Sequence, residues 1–488
     1  MKAIIIAADS AEPKLIRKYR AELPTVNNMI SRGAFMTHFA YTGWNYNSAY
    51  KSEQCWTTVL TGLTPSEHNV NYKMGADGRP PEMKDLAGLQ PFWEVLNANG
   101  LSVGLWHTDL CNQPVPINGY AVSAYYNSIE TPTEEREAAL EIQVCEKDRG
   151  LLSFLNGKPP SYVYPKTLSQ LGYRFDELQT NPDLAENVIA NYHYQEAVAH
   201  FKAELEYFFG AMARAQRENP VDVLWFATPS TDRIAHFSMY DDNPDVLIEC
   251  YKLLDRYMGE LINEFDPEIS VLISDHGQQN YVEFVKCGDK AVQREAFDSR
   301  DKVLWLKNGN VAFEGNNGAL LFTSHAPQGT FIMSGRDIRN HELSNMRIVD
   351  IYPTLLEALK IKIPKNRSGY VADIYERGLI NYDKLLTTHG VSQKSIAFLQ
   401  THSVGLSQRF ISEIFLENRF AEITVIGEEK YSEIFLNNPR VSGFISFEDY
   451  ERANAVKSFD VVYTGIYNQS SGFMNHIKIN NNFRKGCI

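Results

Sequence analysis

The sequence predicts an α/β fold with a mainly parallel sheet, because short apolar segments alternate along the chain with segments of helical periodicity. Residues 3–8, 101–106, 221–227 and 269–274 are mainly apolar, which is typical of strands covered by helices on both faces. Residues 246–265 repeat apolar side chains at helical spacing. Sheets of this kind bind ligands at the carboxyl ends of their strands, so polar residues directly after these segments are the candidates for a functional site.

The first predicted strand, residues 3–8, ends at Asp9 and a polar turn, and a helix follows with apolar positions between Leu15 and Ile30. This apolar run has six residues, so it is too short for a signal peptide or a membrane span. A helix that begins near residue 56 leads into a turn at residues 61–65, Thr-Gly-Leu-Thr-Pro.

Two segments interrupt the alternation. Residues 125–200 are charged and rich in Tyr and Pro, which predicts an insertion or lid, and residues 279–322 contain short strand-like runs that predict a β-hairpin excursion. The alternation then restarts, so we expect a main domain at residues 1–384 and a small Rossmann-like α/β module at residues 385–488. The module lacks a Gly-x-Gly-x-x-Gly motif; it could bind a nucleotide or sugar, recruit a partner, or form a homo-oligomer.

The composition excludes several classes of protein. The 488 residues include 47 Lys and Arg and 60 Asp and Glu, a net charge of −13, which argues against general binding to nucleic acids or anionic membranes. No segment approaches the roughly 18 uninterrupted apolar residues of a membrane span. The six cysteines are scattered without a Cys-x-x-Cys pair, which favours a reduced, cytoplasmic protein.

Acidic residues and histidines follow the predicted strands. Taken singly, each has a simpler interpretation, since an Asp after a strand often only caps a helix and a lone His is usually an ordinary polar residue. Together they supply enough carboxylate oxygens and imidazole nitrogens for two divalent metal sites at one edge of the sheet. The six residues are Asp9, Asp232, His236, Asp275, His276 and His325.

Several motifs occur in a characteristic order: residues 52–65 (SEQCWTTVLTGLTP), 231–236 (TDRIAH), 271–277 (VLISDHG), 325–331 (HAPQGTF) and 348–356 (IVDIYPTLL). In this order they resemble the alkaline phosphatase superfamily, particularly its type I phosphodiesterase/nucleotide pyrophosphatase branch and related phosphohydrolases. The resemblance covers most of residues 1–375. It implies an alkaline-phosphatase-like fold, in which helices sandwich a mainly parallel sheet. It also implies that the protein is a metal-dependent hydrolase of phosphate esters.

The resemblance also implies roles for particular residues. The family's nucleophile lies ten residues before the Gly of the Leu-Thr-Gly turn, which is Ser52, whereas Thr57 and Thr58 fall inside the following helix. Ser52 would form a covalent phosphoserine intermediate. Two divalent ions are implied, with Zn²⁺ expected and Mn²⁺ as the alternative. One ion would be held by Asp9, Asp275, His276 and the Ser52 oxygen, and the other by Asp232, His236 and His325.

The surroundings of Ser52 bear on the substrate, which we expect to be a small phosphorylated molecule. Lys51, His68 and Lys73 are close in sequence and are candidate substrate contacts, although solvated surface positions explain them equally well. No Arg lies between Gly33 and Gly78 to clamp a monoester dianion. Aromatic residues occur there instead, so phosphodiesters are predicted above monoesters. They include Trp44, Tyr46, Tyr50, Trp56 and Tyr72.

Three alternatives to a phosphohydrolase stay open. A phosphotransferase or phosphomutase of the same superfamily would pass the phosphoryl group to an alcohol rather than to water. A sulfatase-like hydrolase is disfavoured, because the Pro and Arg of the sulfatase signature are missing after Ser52. A non-catalytic binding protein is disfavoured because all the expected ligands are present.

Overall fold

The computed structural model describes residues 1–40, 52–70, 82–107, 112–126, 137–190, 196–238, 245–280, 302–305, 311–315, 318–326, 328–365, 367–372, 374–375, 395–400, 411, 422–436, 441–452, 461–468 and 473–479. These residues fall into two compact units. The first contains the described residues up to 280 and from 302 to 375, and the second contains those from 395 to 479. In the described chain no helix is long and apolar enough to cross a membrane.

Fifteen strands occur in the described residues of the first unit. They are β1 (Ala3–Ala8), β2 (Gly33–Phe39), β3 (Val103–Trp106), β4 (Gly119–Tyr126), β5 (Glu137–Val144), β6 (Ser161–Val163), β7 (Val223–Thr228), β8 (Ile269–Ile273), β9 (Gly277–Asn280), β10 (Lys302–Trp305), β11 (Val311–Glu314), β12 (Leu320–Leu321), β13 (Thr323–Ala326), β14 (Gln328–Gly335) and β15 (His341–Arg347). Ten of them form the main sheet, in the order β15-β2-β14-β8-β1-β7-β3-β4-β5-β6.

The centre of the main sheet is parallel. Strand β1 pairs in parallel with β7 and β8, and β3 pairs in parallel with β7 and β4. Every residue of β1, β7 and β8 is buried, which is why these segments are apolar with little alternation. Strand β14 runs antiparallel between β8 and β2. The mainly parallel sheet predicted from the sequence is confirmed.

Helices cover both faces of this sheet. Successive β1 side chains point to opposite faces, so Ile4 and Ile6 belong to one hydrophobic core while Ile5 and Ala7 belong to the other. The α-helices are α1 (Pro13–Lys18), α2 (Pro24–Ser31), α3 (Ser52–Thr61), α4 (Pro65–His68), α5 (Phe92–Ala98), α6 (Phe175–Thr180), α7 (Pro182–Ala190), α8 (Glu196–Glu218), α9 (Ser230–Ser238), α10 (Asp245–Phe265) and α11 (Ile348–Ala358). Short 3₁₀ helices occupy Arg20–Glu22, Met83–Leu86 and Glu146–Phe154.

The two predicted interruptions take different forms. In the segment expected to be a lid, β5 pairs antiparallel with β4 and with β6, so these strands extend the edge of the main sheet. Helix α8 from the same region contributes buried Phe201, Leu205 and Phe208 to the core. In the segment expected to be a hairpin, β10 pairs antiparallel with β11. Residues 281–301 of that segment lie outside the described residues.

The second unit contains a five-stranded sheet. Its strands are β16 (Ser395–Leu399), β17 (Glu422–Gly427), β18 (Val441–Ser446), β19 (Val461–Asn468) and β20 (Phe473–Ile479), in the order β18-β17-β16-β19-β20. All the pairings are parallel except that of β19 with β20. Its described helices are Glu429–Tyr431, Ser432–Leu436 and Phe447–Arg452. Residues 406–416, whose sequence predicts a helix between β16 and β17, fall outside the described residues apart from Ile411.

Candidate active site

The candidate ligands meet because three parallel strands end side by side. Asp9 follows β1, and its backbone N–H donates to Thr228 O at the end of β7 over 3.0 Å. Thr231, in the first turn of α9, donates through Oγ1 to Asp9 O at 2.5 Å. On the other side of β1, the Ser10 N–H donates to Asp275 Oδ1 at 3.2 Å. The carboxyl ends of β1, β7 and β8 are therefore joined by direct hydrogen bonds, as the strand-end argument predicts.

One group of side chains surrounds the Ser52 hydroxyl at the start of α3. Ser52 Oγ lies 3.4 Å from Asp9 Oδ1 and 3.2 Å from His276 Nε2. The same Nε2 atom is 3.6 Å from Asp9 Oδ1 and 3.3 Å from Asp275 Oδ2. Ser52 is half-buried, whereas Asp9, Asp275 and His276 are buried beneath it. The hydroxyl is thus the accessible member of the group.

A second group is built on α9 and β13. Asp232 and His236 lie one helical turn apart, with His236 Nε2 3.4 Å from Asp232 Oδ2. His325 comes from β13, which pairs antiparallel with β9, and its Nε2 lies 3.3 Å from Asp232 Oδ1 and 3.1 Å from His236 Nε2. The rings of His276 and His325 are stacked with centroids 3.9 Å apart, so the two groups are contiguous.

Two features show that these residues fit a metal ion. His236 Nδ1 bonds Thr323 O at 2.9 Å and His276 Nδ1 bonds Gly277 O at 3.1 Å, so in both rings the carbonyl holds Nδ1 and leaves Nε2 facing the cluster. The ligand atoms of Asp232, His236 and His325 all lie within 4.8 Å of one another, and those of Asp9, Asp232 and His276 do so as well. Carboxylate oxygens and neutral imidazole nitrogens are the donor set of Zn²⁺ and its neighbours.

The charges in the two groups differ. Burial favours neutral Asp232, but the adjacent His236 and His325 outweigh it and hold the pKa of Asp232 well below its usual value. Burial opposes a charge on His236, yet Asp232 raises its pKa. In the other group burial raises the pKa of Asp275 well above its usual value, while burial and His325 hold the pKa of His276 well below its own. A divalent cation would favour ionised Asp275 and would suit neutral His276.

The structure also separates the rival nucleophiles. Thr57 Oγ1 donates to Glu53 O at 2.6 Å, and Thr58 Oγ1 donates to Gln54 O at 2.9 Å. Both threonines are buried within α3 and bond its own backbone, so neither hydroxyl faces the carboxylates. Ser52 alone of these three hydroxyls contacts the candidate ligands.

His68, one of the candidate substrate contacts, lies where helices α3 and α4 meet. His68 Nε2 lies 3.1 Å from Thr58 Oγ1, and its Nδ1 accepts the Val70 N–H at 3.0 Å. Burial lowers its pKa to about 4, so the ring is neutral at pH 7. His68 therefore joins α4 to α3 through its contacts with Thr58 and Val70. Lys51 and Lys73, the other two candidates, lie outside the described residues.

Several surrounding residues support the candidate ligands, a role that the sequence did not indicate. Trp56 Nε1 donates to Asp9 Oδ2 at 3.2 Å, and Gln278 Nε2 donates to Asp232 Oδ1 at 2.7 Å. Glu204 on α8 is buried and accepts hydrogen bonds from Thr228 and Ser230 at the start of α9. Trp56 could have been found from its spacing, because it lies one helical turn after Ser52. Gln278 and Glu204 have no comparable local signal.

The mainly parallel sheet carries a serine and two carboxylate–imidazole groups at its carboxyl edge, an arrangement suited to metal-assisted hydrolysis. The chain belongs to the type I phosphodiesterase/nucleotide pyrophosphatase family, whose profile matches residues 3–331. It is accordingly a phosphoester hydrolase. No curated protein matches the chain.

Three solved structures that resemble the chain have identities of 11–14%. A mutant of the alkaline phosphatase PafA is 13% identical, with a TM-score of 0.44, and the match covers 76% of this chain and 98% of that one. Human ectonucleotide pyrophosphatase/phosphodiesterase 5 is 14% identical, with a TM-score of 0.39 and coverage of 75% and 97%. A 2-O GAG sulfatase is 11% identical, with a TM-score of 0.38 and coverage of 76% and 73%.

Proposed function

We propose that the chain is a two-metal phosphohydrolase in which Ser52 attacks phosphorus and becomes a covalent phosphoserine. The observation that carries this proposal is the position of Ser52 Oγ, 3.4 Å from Asp9 Oδ1 and 3.2 Å from His276 Nε2. A free serine hydroxyl is a weak nucleophile at neutral pH and needs an adjacent activating group. This hydroxyl lies against a group of ligands able to supply one.

The candidate ligands divide into two groups, each able to hold one of the two proposed ions. Asp9, Asp275, His276 and the Ser52 oxygen would hold one, and Asp232, His236 and His325 would hold the other. Bound there, divalent ions would lower the pKa of the Ser52 hydroxyl and neutralise charge on the phosphoryl oxygens. Zn²⁺ is our first choice because imidazole and carboxylate ligands both suit it, and Mn²⁺ is the alternative.

The protein itself orients the nucleophile. Ser52 begins α3, so its hydroxyl lies at the N-terminal end of the helix, where the helix dipole stabilises negative charge. The rest of the helix, from Gln54 to Thr61, is buried. Because the buried turns hold the first turn in place, Ser52 meets its substrate in a fixed orientation, which favours reaction through proximity.

We also propose that phosphodiesters are the better substrates. The family to which the chain belongs supports this proposal. Among the aromatic residues behind the sequence argument, Trp56 is buried and bonds Asp9, so it supports the ligand group rather than an organic substituent. Trp44, Tyr46, Tyr50 and Tyr72 lie outside the described residues.

The test is a substrate panel with controlled metal content. Protein stripped with a chelator is assayed on p-nitrophenyl phosphate, bis-p-nitrophenyl phosphate and p-nitrophenyl sulfate before and after Zn²⁺ or Mn²⁺ is added. We expect no turnover without metal, restored hydrolysis with it, and the highest kcat/KM on the diester. Full activity in the metal-free protein would overturn the metal assignment. A clear preference for the monoester would overturn only the substrate preference.

A further inference from the structure

Gln278, two residues after His276, places its amide on a candidate ligand. Its Nε2 donates to Asp232 Oδ1 at 2.7 Å, the same oxygen that lies 3.3 Å from His325 Nε2. The other Asp232 oxygen, Oδ2, lies 3.4 Å from His236 Nε2. Each carboxylate oxygen of Asp232 therefore faces one imidazole, and only Oδ1 also receives the amide.

The backbone of Gln278 is held independently of Asp232. Glu12 is 2% exposed, and its Oε2 accepts the Gln278 N–H at 2.9 Å. The Glu12 carboxylate also accepts the Lys14 N–H at 3.0 Å through Oε1, and the Glu12 N–H donates to Tyr251 OH at 3.0 Å. Gln278 is also paired with His325 across β9 and β13. The side-chain amide of Gln278 therefore reaches Asp232 from a backbone that is fixed in place.

Within the described part of the chain, the other end of the Gln278 amide has no hydrogen-bond donor. The side chain is 2% exposed, and among the described residues its Oε1 atom makes no hydrogen bond. A buried carbonyl oxygen without a donor is unfavourable, so an apolar side chain of the same length would suit the interior better. An apolar side chain, however, could not donate a hydrogen bond to Asp232, as the amide of Gln278 does.

We propose that Gln278 is a positioning residue that fixes the Asp232 carboxylate for metal binding. The inference rests on the proposed metal site. A carboxylate that rotates freely must be ordered when an ion binds, whereas the Gln278 hydrogen bond orders Asp232 beforehand and leaves its remaining lone pairs for the ion. Loss of such a hydrogen bond to a ligand typically weakens metal affinity by about 10- to 100-fold.

The variant that tests this is Gln278→Met, which keeps an unbranched side chain of similar length and removes the N–H donor. A matched control is Gln216→Met. Gln216 is also buried, but its amide donates to Val221 O at 3.0 Å and accepts the Val221 N–H at 3.1 Å, away from the candidate ligands. Both full-length variants and the unaltered protein are stripped of metal and titrated with Zn²⁺ by calorimetry, and their thermal unfolding is measured without metal.

We expect Gln278→Met to bind Zn²⁺ about 10- to 100-fold more weakly while its metal-free melting temperature is unchanged or higher. Activity should return at saturating Zn²⁺, because the ligands themselves are intact. Gln216→Met should melt earlier and keep the original Zn²⁺ affinity. Equal Zn²⁺ affinity in Gln278→Met and the unaltered protein would overturn the role of Gln278 alone. Failure of the unaltered protein to bind Zn²⁺ or Mn²⁺ would overturn this inference and the proposed metal site together.

Discussion

The indole Nε1 of Trp56 donates a hydrogen bond of 3.2 Å to Asp9 Oδ2, while the other oxygen of Asp9 lies 3.4 Å from Ser52 Oγ. Helix α3 carries both Ser52 and Trp56, one turn apart, so a single helix aims the nucleophile and holds the carboxylate beside it. This arrangement makes Trp56 a support of the site, although its type and burial alone would class it as core.

Replacing Trp56 by Phe should therefore weaken metal binding at Asp9. Phe retains most of the buried ring but has no N–H, so we expect Zn²⁺ affinity to fall by about tenfold and kcat/KM to fall with it. The control is Trp225→Phe. Trp225 is equally buried, and its Nε1 makes no hydrogen bond among the described residues. Zn²⁺ titration and kinetics compare the two; equal effects would mean that lost volume, not the Asp9 contact, is responsible.

Ser52→Ala should abolish most activity while leaving the fold intact. The side chain is half-buried at the end of a helix, so its loss costs little stability, but it removes the attacking oxygen. We expect kcat to fall on the order of 10³-fold or more. Thr57→Ala and Thr58→Ala remove hydroxyls that bond the helix backbone, and should cost far less activity. The nucleophile would have to be reassigned if either threonine variant lost as much activity as Ser52→Ala.

His68 should contribute to stability rather than to catalysis. Burial lowers its pKa from 6.5 to about 4, so between these values the unfolded chain binds a proton that the folded chain does not. Stability must then fall as the pH drops through this window, by about 3 kcal/mol at most. In His68→Gln this part of the pH dependence should disappear, while kcat and KM at neutral pH stay close to those of the unaltered protein.

Unfolding in denaturant between pH 7 and pH 4.5 measures the His68 contribution, and assays on bis-p-nitrophenyl phosphate measure catalysis. A large rise in KM for His68→Gln without loss of stability would restore His68 as a substrate contact. An unchanged pH dependence of the unfolding free energy would instead show that the ring is not kept neutral by burial.

The sequence was most informative where chemistry follows directly from local order. Asp9 and Asp275 each follow an apolar strand, and parallel strands bring their carboxyl ends to one edge, so their proximity was predictable. Asp232 and His236 were predictable as a pair because four residues of helix place them on one face. His325 was indicated by its motif, but its contact with Asp232 depends on the antiparallel pairing of β13 with β9.

The remainder could not be predicted because it depends on packing between distant segments. The Gln278–Asp232 hydrogen bond joins residues that are 46 positions apart, and the Gln278–Glu12 hydrogen bond spans 266. Strand β5 itself contains two Glu and lies in charged, Tyr-rich sequence, which concealed the sheet edge formed by β5 and β6. The contacts of His68 with Thr58 and Val70 could not be predicted either, because closeness in sequence to Ser52 gives no information about the direction of the ring.

Glu204 supports the start of α9 and should be needed for both stability and catalysis. Its carboxylate is fully buried and accepts hydrogen bonds from Thr228 Oγ1 at 2.6 Å and from Ser230 Oγ, and His107 Nε2 lies 3.6 Å away. Ser230 begins the helix that carries Asp232 two residues later. The Glu204 carboxylate, which belongs to α8, thus holds the turn from which the candidate metal ligand Asp232 projects.

Substituting Glu204 by Gln or by Leu should distinguish the contribution of side-chain size to stability from that of the hydrogen bonds with Thr228 and Ser230. Gln keeps the size and one acceptor oxygen, so we expect a loss of about 1 kcal/mol in the free energy of unfolding. Leu leaves both hydroxyls without an acceptor, and should cost about 3 kcal/mol. Because the turn before Asp232 then loosens, Zn²⁺ affinity should fall in the same order, Leu more than Gln. Denaturant unfolding and Zn²⁺ titration of both variants provide the test, and unaltered Zn²⁺ affinity in a folded Glu204→Leu variant would show that α9 holds Asp232 without this support.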